Sequence, residues 1–319
     1  MVALMQPIRR WLADCVQAWD RFWFTPALPH TLALIRILAG AMLFYTHLVW
    51  TFDLEAFLGG SSWVSPHVAR ELSSGYAWSY LWHIESPAVL WGVHVGALVV
   101  FALLTLGLFS RVTAVLAWLI TVSYCHRLSG ALFGLDQVNA MLSMYLALGP
   151  CGAAYSLDRW LARGRAGEGE PVPSTHANVA VRLMQLHLCI VYLFSGIGKM
   201  RGELWWDGGA VWYAVANLEY QSWDLSWLAH HPGLIALATH VTVLWETFYC
   251  ALVWPRLTRP IALLVAVGVH GGIALALGMV TFGIAMIIAN LAFLSSESVR
   301  DAIGWGRGQV FRDSRLPIA

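Results

Sequence analysis

The chain has 319 residues, of which 59% are hydrophobic and 12% are charged, and its formal net charge is +1. A soluble domain carries about 25% charged residues, so this composition excludes a water-soluble globular protein and favours an integral membrane protein. The sequence has no basic tract, and nucleic acid is not expected among its partners. The expected surroundings are instead a lipid bilayer.

The first 24 residues predict an amphipathic helix that lies in the cytoplasmic membrane interface. Bulky side chains recur there at helical spacing, with Arg9, Arg10 and Asp20 between them. They are Trp11, Cys15, Trp19, Phe22 and Trp23. No short apolar run precedes a small-residue cleavage site in this region, so a removable signal peptide is not expected.

Eight later stretches are apolar enough to cross a bilayer, which takes about 20 residues of helix. They are residues 31–50, 88–109, 112–132, 138–157, 179–199, 234–254, 260–278 and 280–297. The fourth is the weakest, and only Gly278 separates the last two. Runs of this length favour helices over a barrel. The predicted fold is therefore an all-α, polytopic membrane helical bundle with about eight transmembrane helices.

The basic residues predict the orientation of the bundle. With the N-terminus in the cytoplasm, 14 of the 19 basic residues face inward and four face outward, with Arg36 inside the first span. Both termini are then cytoplasmic. We interpret residues 1–319 as a single membrane domain, in which residues 158–177, rich in Arg, Gly, Glu and Pro, form a cytoplasmic linker between two halves.

Two long segments, residues 51–86 and 201–232, fall on the outer side. Both are rich in tryptophan: Trp63, Trp78, Trp82, Trp205, Trp206 and Trp212. So many large apolar side chains are unusual for a fully solvated loop. We therefore expect both segments to cap a mostly apolar cavity that suits an apolar ligand.

The only lysine of the chain, Lys199, ends the most polar of the predicted spans. Gln185, Tyr192 and Lys199 are seven residues apart, and Ser195 is four residues before Lys199, so the four share one helix face. A desolvated lysine can lose its proton, whereas an arginine effectively cannot. The stripe therefore makes Lys199 a candidate base, and the alternative is a lysine that extends to the interface.

Other ionisable side chains in the predicted spans are candidates for a shared polar cavity, because charge inside a membrane is costly. His240 and Glu246 belong to the sixth span, and His270 lies midway along the seventh, beside glycines. Glu246 has a depth that suits an ion pair with Arg36. No HExxH motif occurs and no two of the five cysteines have CxxC spacing, so neither a metal site nor a disulfide framework is expected.

Three blocks of the sequence resemble the horizontally transferred transmembrane (HTTM) family, which includes vitamin K-dependent gamma-carboxylases. The most specific is FSGIGKMRGELWWDGGAVWYA at 194–214, and the others are LIRILAG at 34–40 and VHGGIALALGMVTFGIAMIIANLAF at 269–293. The resemblance implies that Lys199 is the base that deprotonates reduced vitamin K or a menaquinol-like quinone. It also implies a functional role for His270.

In that family, O2 then converts the quinol anion into an epoxide with a strongly basic oxygen, which removes a proton from a glutamate side chain before CO2 adds. The present sequence has Asn139 where the family has a histidine. It also ends soon after the last span, where the carboxylases continue into a domain that handles the protein substrate. We therefore expect the peptide or protein substrate to differ or to be presented by a partner.

The leading hypothesis is a carboxylase-like enzyme of a bacterial inner membrane with its active site facing the outer side. Its catalytic residues are Lys199 and His270. Its cavity residues are Tyr192, Ser195, His240, Glu246, Asn139, Trp205 and Trp206. The alternative is a non-enzymatic transporter or maturation partner whose polar cavity holds a lipid or peptide; the sequence shows no internal repeat of the kind common in transporters.

Overall fold

The structure is a computed structural model, and it describes residues 2–166 and 169–313. Regular secondary structure in these two ranges is helical, apart from an isolated antiparallel bridge between Ala27 and Ser174. The all-α fold predicted from the sequence is confirmed.

The α-helices of the described ranges are numbered in chain order. They are α1 (Val2–Phe24), α2 (His30–Trp50), α3 (Leu54–Leu58), α4 (Pro66–Leu72), α5 (Pro87–Leu106), α6 (Ser110–Arg127), α7 (Gly134–Leu148), α8 (Leu157–Ala166), α9 (Thr175–Met200), α10 (Glu203–Trp206), α11 (Ala210–Val215), α12 (Pro232–Leu252), α13 (Arg259–Ala276), α14 (Val280–Asn290) and α15 (Ser296–Asp313). Short 3-10 helices occur at Thr51–Asp53, Tyr80–His83, Ser129–Ala131, Ser226–His230 and Leu291–Phe293.

Five helical segments of the described chain are long and apolar enough to cross a membrane. They are His30–Leu58, Pro87–Leu106, Thr175–Met200, Pro232–Leu252 and Arg259–Ala276. They correspond to the first, second, fifth, sixth and seventh of the predicted spans. A membrane-embedded helical bundle is compatible with this set.

The other three predicted spans have different forms. The third corresponds to α6, which falls outside the set of five. The fourth corresponds to α7, whose 15 residues are fewer than the roughly 20 that a bilayer requires. In the eighth, Val280–Phe293 is followed by Ser296–Gly304 after a bend of 108°. That pair counts as a sixth crossing only if the two pieces form one broken span.

Contacts divide the described chain into two units. Unit one lies within residues 1–130, 140–183 and 294–319, and unit two comprises residues 131–139 and 184–293. Two of the boundaries between the units fall inside α7 and α9, and none falls at the linker predicted at 158–177. That segment includes most of α8 and the start of α9, and its residues 167 and 168 lie outside the described part.

The centre of unit one contains a completely buried arginine, Arg36 on α2. Its guanidinium donates hydrogen bonds to four backbone oxygens, those of Leu104, Thr105, Cys151 and Tyr155. The first two oxygens are at the C-terminal end of α5, where the last carbonyls of a helix lack intrahelical donors. Arg36 therefore joins the end of α5 to the turn that follows α7.

Two buried histidines elsewhere in unit one, His47 and His94, hydrogen-bond to groups within that unit. His94 hydrogen-bonds to Tyr124 at 2.7 Å and to Thr51 at 3.0 Å, and the His47 Nδ1–H donates to the Leu43 carbonyl. These two histidines, on the first and second predicted spans, are packing residues of this unit.

The helix predicted at the N-terminus is present as α1. Its residues 7–20 are exposed, including Trp11 and Trp19. Near its C-terminal end, Arg182 lies 4.4 Å from the centre of the Phe22 ring, and the Asn178 amide donates to the carbonyls of Phe22 and Trp23. A membrane interface would cover the exposed face, and that placement stays a prediction.

Candidate functional site

Lys199 is in the last turn of α9, inside unit two. Its Nζ atom donates hydrogen bonds to Ser195 Oγ at 2.7 Å and to Glu246 Oε2 at 2.6 Å. The side chain of Lys199 is 25% exposed and that of Glu246 is 7% exposed. The hydrogen bond to Ser195 follows from their separation of four residues along one helix. The result is a largely buried ion pair between α9 and α12.

The expected ion pair between Arg36 and Glu246 is wrong. Glu246 is bound to Lys199 within unit two, and Arg36 is bound to four carbonyls within unit one. Backbone carbonyls satisfy a guanidinium by hydrogen bonding, so a buried arginine does not require a carboxylate. The expectation compared how deep the two residues lie in the membrane along their own helices. Equal depth does not show which helices face each other.

A glycine explains how α9 approaches α12 closely enough for this pair. A Cβ atom at Gly196 would lie 2.5 Å from Thr247 Oγ1 and 2.6 Å from the Thr247 backbone nitrogen. Any side chain at 196 would therefore push the two helices apart. Gly198, two residues further on, faces open space.

After α9 ends, the chain turns back along α12 toward the N-terminal end of that helix. The Trp206 carbonyl accepts a hydrogen bond from His240 Nε2 at 3.1 Å, and the Val211 N–H donates to Thr239 Oγ1 at 3.1 Å. Glu246 is 14 residues after Pro232, so the ion pair lies about 21 Å along α12 from its start. Helices α10 and α11 occupy part of that length.

A cavity of about 480 Å³ lies between these elements, entirely within unit two. Apolar side chains of α11, α12 and α13 form most of its wall, among them Val211, Val215, Val241, Val269 and Ile273. Lys199 and Glu246 are its charged lining residues. Mostly apolar walls with a few convergent polar groups are typical of small-molecule binding sites, and the volume is in their usual range of about 300–1,000 Å³.

An aromatic ring also contacts the charged end of the cavity. Lys199 Nζ lies 5.4 Å from the centre of the Trp205 ring, within the distance at which a cation is attracted to an aromatic face. Trp205 lines the cavity, whereas the neighbouring Trp206 donates its Nε1–H to the Met200 carbonyl and is 54% exposed. The predicted cap is thus seen for segment 201–232, through Trp205 and α11.

A second polar network lies deeper in unit two. Tyr249 donates its hydroxyl proton to Asn290 Oδ1, and Asn290 Nδ2 donates to Tyr192 Oη and to the Met286 carbonyl. Tyr192 Oη is 2.7 Å from His270 Nε2. The Tyr192 hydroxyl accepts from Asn290 and can donate its own proton to His270 Nε2, an arrangement that places the imidazole proton on Nδ1. Nδ1 of His270 is buried and has no hydrogen-bond partner among the described residues.

The structure thus separates the predicted site residues into two neighbouring groups of unit two. Lys199, Ser195, Glu246 and Trp205 meet at the cavity, whereas Tyr192 and His270 belong to the buried network. His240 is bound to the Trp206 carbonyl. Asn139 is 2% exposed, and its Oδ1 has no hydrogen-bond partner among the described residues.

Sequence reasoning missed the residues that complete these groups. Asn290 and Tyr249 link Tyr192 to two further helices, and Thr242 lines the cavity one turn before Glu246. The signal was available for Asn290, which is a lone amide in a long apolar run. Tyr249, three residues after Glu246, is also on the polar face of α12.

None of the five cysteines forms a disulfide, and the described residues contain no group of three or more His, Cys, Asp or Glu that could hold a metal ion. Comparison of the chain with protein-family models, curated proteins and solved structures finds no match.

Proposed function

We propose that the protein is a quinol-dependent membrane enzyme of the HTTM type, in which unit two binds a reduced isoprenoid quinone such as vitamin K hydroquinone or menaquinol. The observation that supports the proposal is the Lys199–Glu246 pair in the wall of an otherwise apolar cavity. A quinol has a flat apolar ring with hydroxyl groups that can lose a proton. The cavity offers matching apolar walls and one polar group pair.

The pair as a whole acts as the proton acceptor in this proposal. With charges separated, Glu246 takes the proton and Lys199 supplies the countercharge beside it. With the pair neutral, Lys199 takes the proton and Glu246 is already protonated. Both routes end with a protonated glutamic acid and an ammonium next to the new negative charge on the ligand, which a low-dielectric site stabilises strongly.

The other residues of the site have supporting roles in this scheme. Ser195 holds the Lys199 amine through their hydrogen bond, and Trp205 covers it. The network around His270 fixes the wall behind the cavity. When bound, the reduced quinone would supply the electrons for reaction with O2, giving an epoxide and a base strong enough for carboxylation with CO2 of a peptide or protein substrate.

The membrane arrangement belongs to the same proposal. We propose eight crossings, including α6, α7 and the bent α14–α15 pair, in a bacterial inner membrane with both termini in the cytoplasm. Lys199 then lies toward the outer half of the bilayer. The 14-to-four distribution of basic residues supports this orientation.

The test is quinone epoxide formation by the purified protein in lipid nanodiscs, supplied with reduced menaquinone or vitamin K and O2. Mass spectrometry detects the epoxide without knowledge of the second substrate. We expect Glu246→Gln to lower the rate about 100-fold or more, which is the usual contribution of a positioned acid–base group. Glu219→Gln is the matched control, because Glu219 is exposed and outside the cavity lining.

A Lys199→Arg variant separates the two routes. Arginine keeps the countercharge but stays protonated, so retained epoxidation assigns the proton to Glu246 and lost epoxidation assigns it to Lys199. Wild-type protein that is folded and forms no epoxide with any reduced quinone would contradict the proposal.

One observation favours the alternative of a non-enzymatic binding protein. The Lys199 ammonium is already satisfied by Ser195, Glu246 and Trp205, as in a structural ion pair. In that case quinone or lipid binds in the cavity without oxidation, and the exchanged variant Lys199→Glu with Glu246→Lys retains binding. Quinone binding by fluorescence quenching, measured beside epoxidation, distinguishes the two functions.

A further inference from the structure

We propose that unit one has a binding site for the phosphate group of an anionic phospholipid, separate from the cavity of unit two. The site is a second cavity, of about 500 Å³, formed by the start of α2, the start of α8 and the first turns of α15. It is independent of the proposed function, because every residue that lines it belongs to unit one.

The cavity is basic and only partly compensated. Arg159 and Arg300 contribute two positive charges to its lining, and Glu170 contributes one negative charge. Guanidinium groups bind phosphate oxygens well, because their planar set of N–H donors matches two oxygens at once. A phosphate monoester or diester is thus the ligand chemistry that fits.

Two buried nitrogen atoms at this cavity have no hydrogen-bond partner within the described ranges. One is Nε of Arg159, whose other nitrogens donate to the carbonyls of Ala153 and Gly169. The other is Nδ1 of His30, a residue that lines the cavity and is 3% exposed. Buried polar atoms are nearly always paired. The Arg159 Nε–H, and the His30 Nδ1–H in the tautomer that has this proton, therefore lack an acceptor, which phosphate oxygens supply.

The carboxylates near Arg300 are weak competitors for such a ligand. Glu170 Oε2 is 3.8 Å from Arg300 Nη1, and the Glu170 side chain is 79% exposed. Asp301, which accepts a hydrogen bond from Arg300 Nε, is 67% exposed. Exposed ion pairs contribute little free energy, so a phosphate can displace Glu170 at low cost.

The surroundings favour a lipid over free phosphate as the source. His30 is the first residue of an apolar helix that is long enough to cross a membrane, which places the cavity at the end of that span. Trp160 lines the cavity and is 68% exposed, as expected for an indole at a membrane interface. Leu106 and Ile303 add apolar wall for the glycerol backbone and acyl chains.

The experiment is native mass spectrometry of the full-length protein with phosphatidylglycerol, with diacylglycerol of the same acyl chains, and with inorganic phosphate. We expect phosphatidylglycerol to bind at least about tenfold more tightly than diacylglycerol. Arg300→Gln should weaken phosphatidylglycerol about fivefold, which corresponds to about 1 kcal/mol for one basic residue at an anionic lipid. Glu170→Gln should strengthen it by a similar factor.

Controls cover charge and folding. Arg256→Gln removes an exposed arginine that is outside the cavity lining and should leave the affinity unchanged. Arg159 also donates to two carbonyls, so its loss can affect folding as well as binding. The lipid affinity of Arg159→Gln is therefore compared with that of Arg159→Lys, and the thermal stability of both variants is measured. Equal affinity for phosphatidylglycerol in the wild type, Arg300→Gln and Glu170→Gln would overturn the site. Tight binding of inorganic phosphate, together with equal affinities for phosphatidylglycerol and diacylglycerol, would show that the ligand of this cavity is not a lipid.

Discussion

Arg36 and Lys199 are both cations on predicted spans, and the structure treats them differently. Arg36 donates four hydrogen bonds to four carbonyls and is completely buried. Lys199 uses a compact ammonium for one hydroxyl and one carboxylate beside a cavity. The planar guanidinium suits several fixed acceptors, whereas the amine suits a site where a proton can move. The chain has 18 arginines and one lysine, and that lysine is at the cavity.

We expect Arg36→Met to destabilise the protein by about 3 kcal/mol or more. The substitution removes the guanidinium from four buried or partly buried carbonyl groups, of which only that of Leu104 also accepts from the Gly107 N–H. Buried polar groups that lose their partner cost about 1–3 kcal/mol each. The measurement is the free energy of unfolding in detergent, with Leu38→Met as a control at a partly exposed position of the same helix. Equal losses in both variants would show that the carbonyls find other donors.

A prediction based on spacing along one helix was correct for Ser195 and Lys199. The same helix also contains Gln185 and Tyr192, and their bonds go elsewhere: Gln185 donates to the Ala292 carbonyl and Tyr192 faces His270. Spacing defines which residues share a helix face, but not which neighbour each part of that face meets. For that reason the partner of Glu246 was missed, although its functional importance was expected from its cost inside a membrane.

At the scale of the elements, the positions at which the long helices begin were the most predictable feature. The starts of α2, α5, α9, α12 and α13 each lie within four residues of the predicted spans. The approach of α9 to α12 was less predictable, since Gly196 and Gly198 are indistinguishable in sequence. Only the structure shows that Gly196 faces Thr247 and Gly198 faces open space.

Because Gly196 faces Thr247 and Gly198 faces open space, alanine substitutions at these two positions form a matched pair. Gly196→Ala places a methyl group against the Thr247 backbone, so α9 and α12 must separate and the Lys199–Glu246 hydrogen bond must lengthen. We expect a loss of stability of about 1–3 kcal/mol, the usual cost of overpacking. Gly198→Ala should be neutral or slightly stabilising, because alanine favours a helix.

Thermal unfolding of both variants checks this, and quinone affinity provides a second measurement that follows the ion pair. A Gly196→Ala protein as stable as the Gly198→Ala protein would mean that the helices adjust without strain.

Three short helices, α8, α10 and α11, could not be predicted from the pattern. Helix α8 begins at Leu157, in a segment whose glycine and proline content indicated a linker. Helices α10 and α11 return along α12 because their tryptophan and alanine side chains gain apolar contact there, and the composition of 201–232 predicted only that they would be covered. Local composition reports a preference for burial but not the surface that provides it.

At the scale of the whole molecule, the division into two units passes through two α-helices, α7 between residues 139 and 140 and α9 between residues 183 and 184. The first part of α9 belongs to unit one and its last 17 residues, 184–200, belong to unit two. A linker of polar residues was therefore a poor guide to the organisation of the chain. Contacts over long sequence separations, such as that of Thr31 with Ser296, define the units instead.

Two exposed positions test the proposed orientation. Val172 is 78% exposed in the segment predicted to be cytoplasmic, and Tyr76 is 100% exposed in the segment predicted to be outside. In a variant without the native cysteines, a membrane-impermeant maleimide should label Tyr76→Cys in intact cells, and Val172→Cys only after permeabilisation. The reverse pattern would invert the orientation and move Lys199 toward the cytoplasm.

The pairing of Lys199 with Glu246 also has a practical consequence for spectroscopy. Reductive methylation with isotopically labelled formaldehyde modifies side-chain amines without removing their charge, and this chain contains a single lysine. The Lys199 side chain is 25% exposed and hydrogen-bonds to the buried Glu246 carboxylate. Apart from any free α-amino group, the dimethylamine signal in a nuclear magnetic resonance spectrum would come from Lys199 alone. Its chemical shift would report directly whether the proton is on the nitrogen or has moved to Glu246.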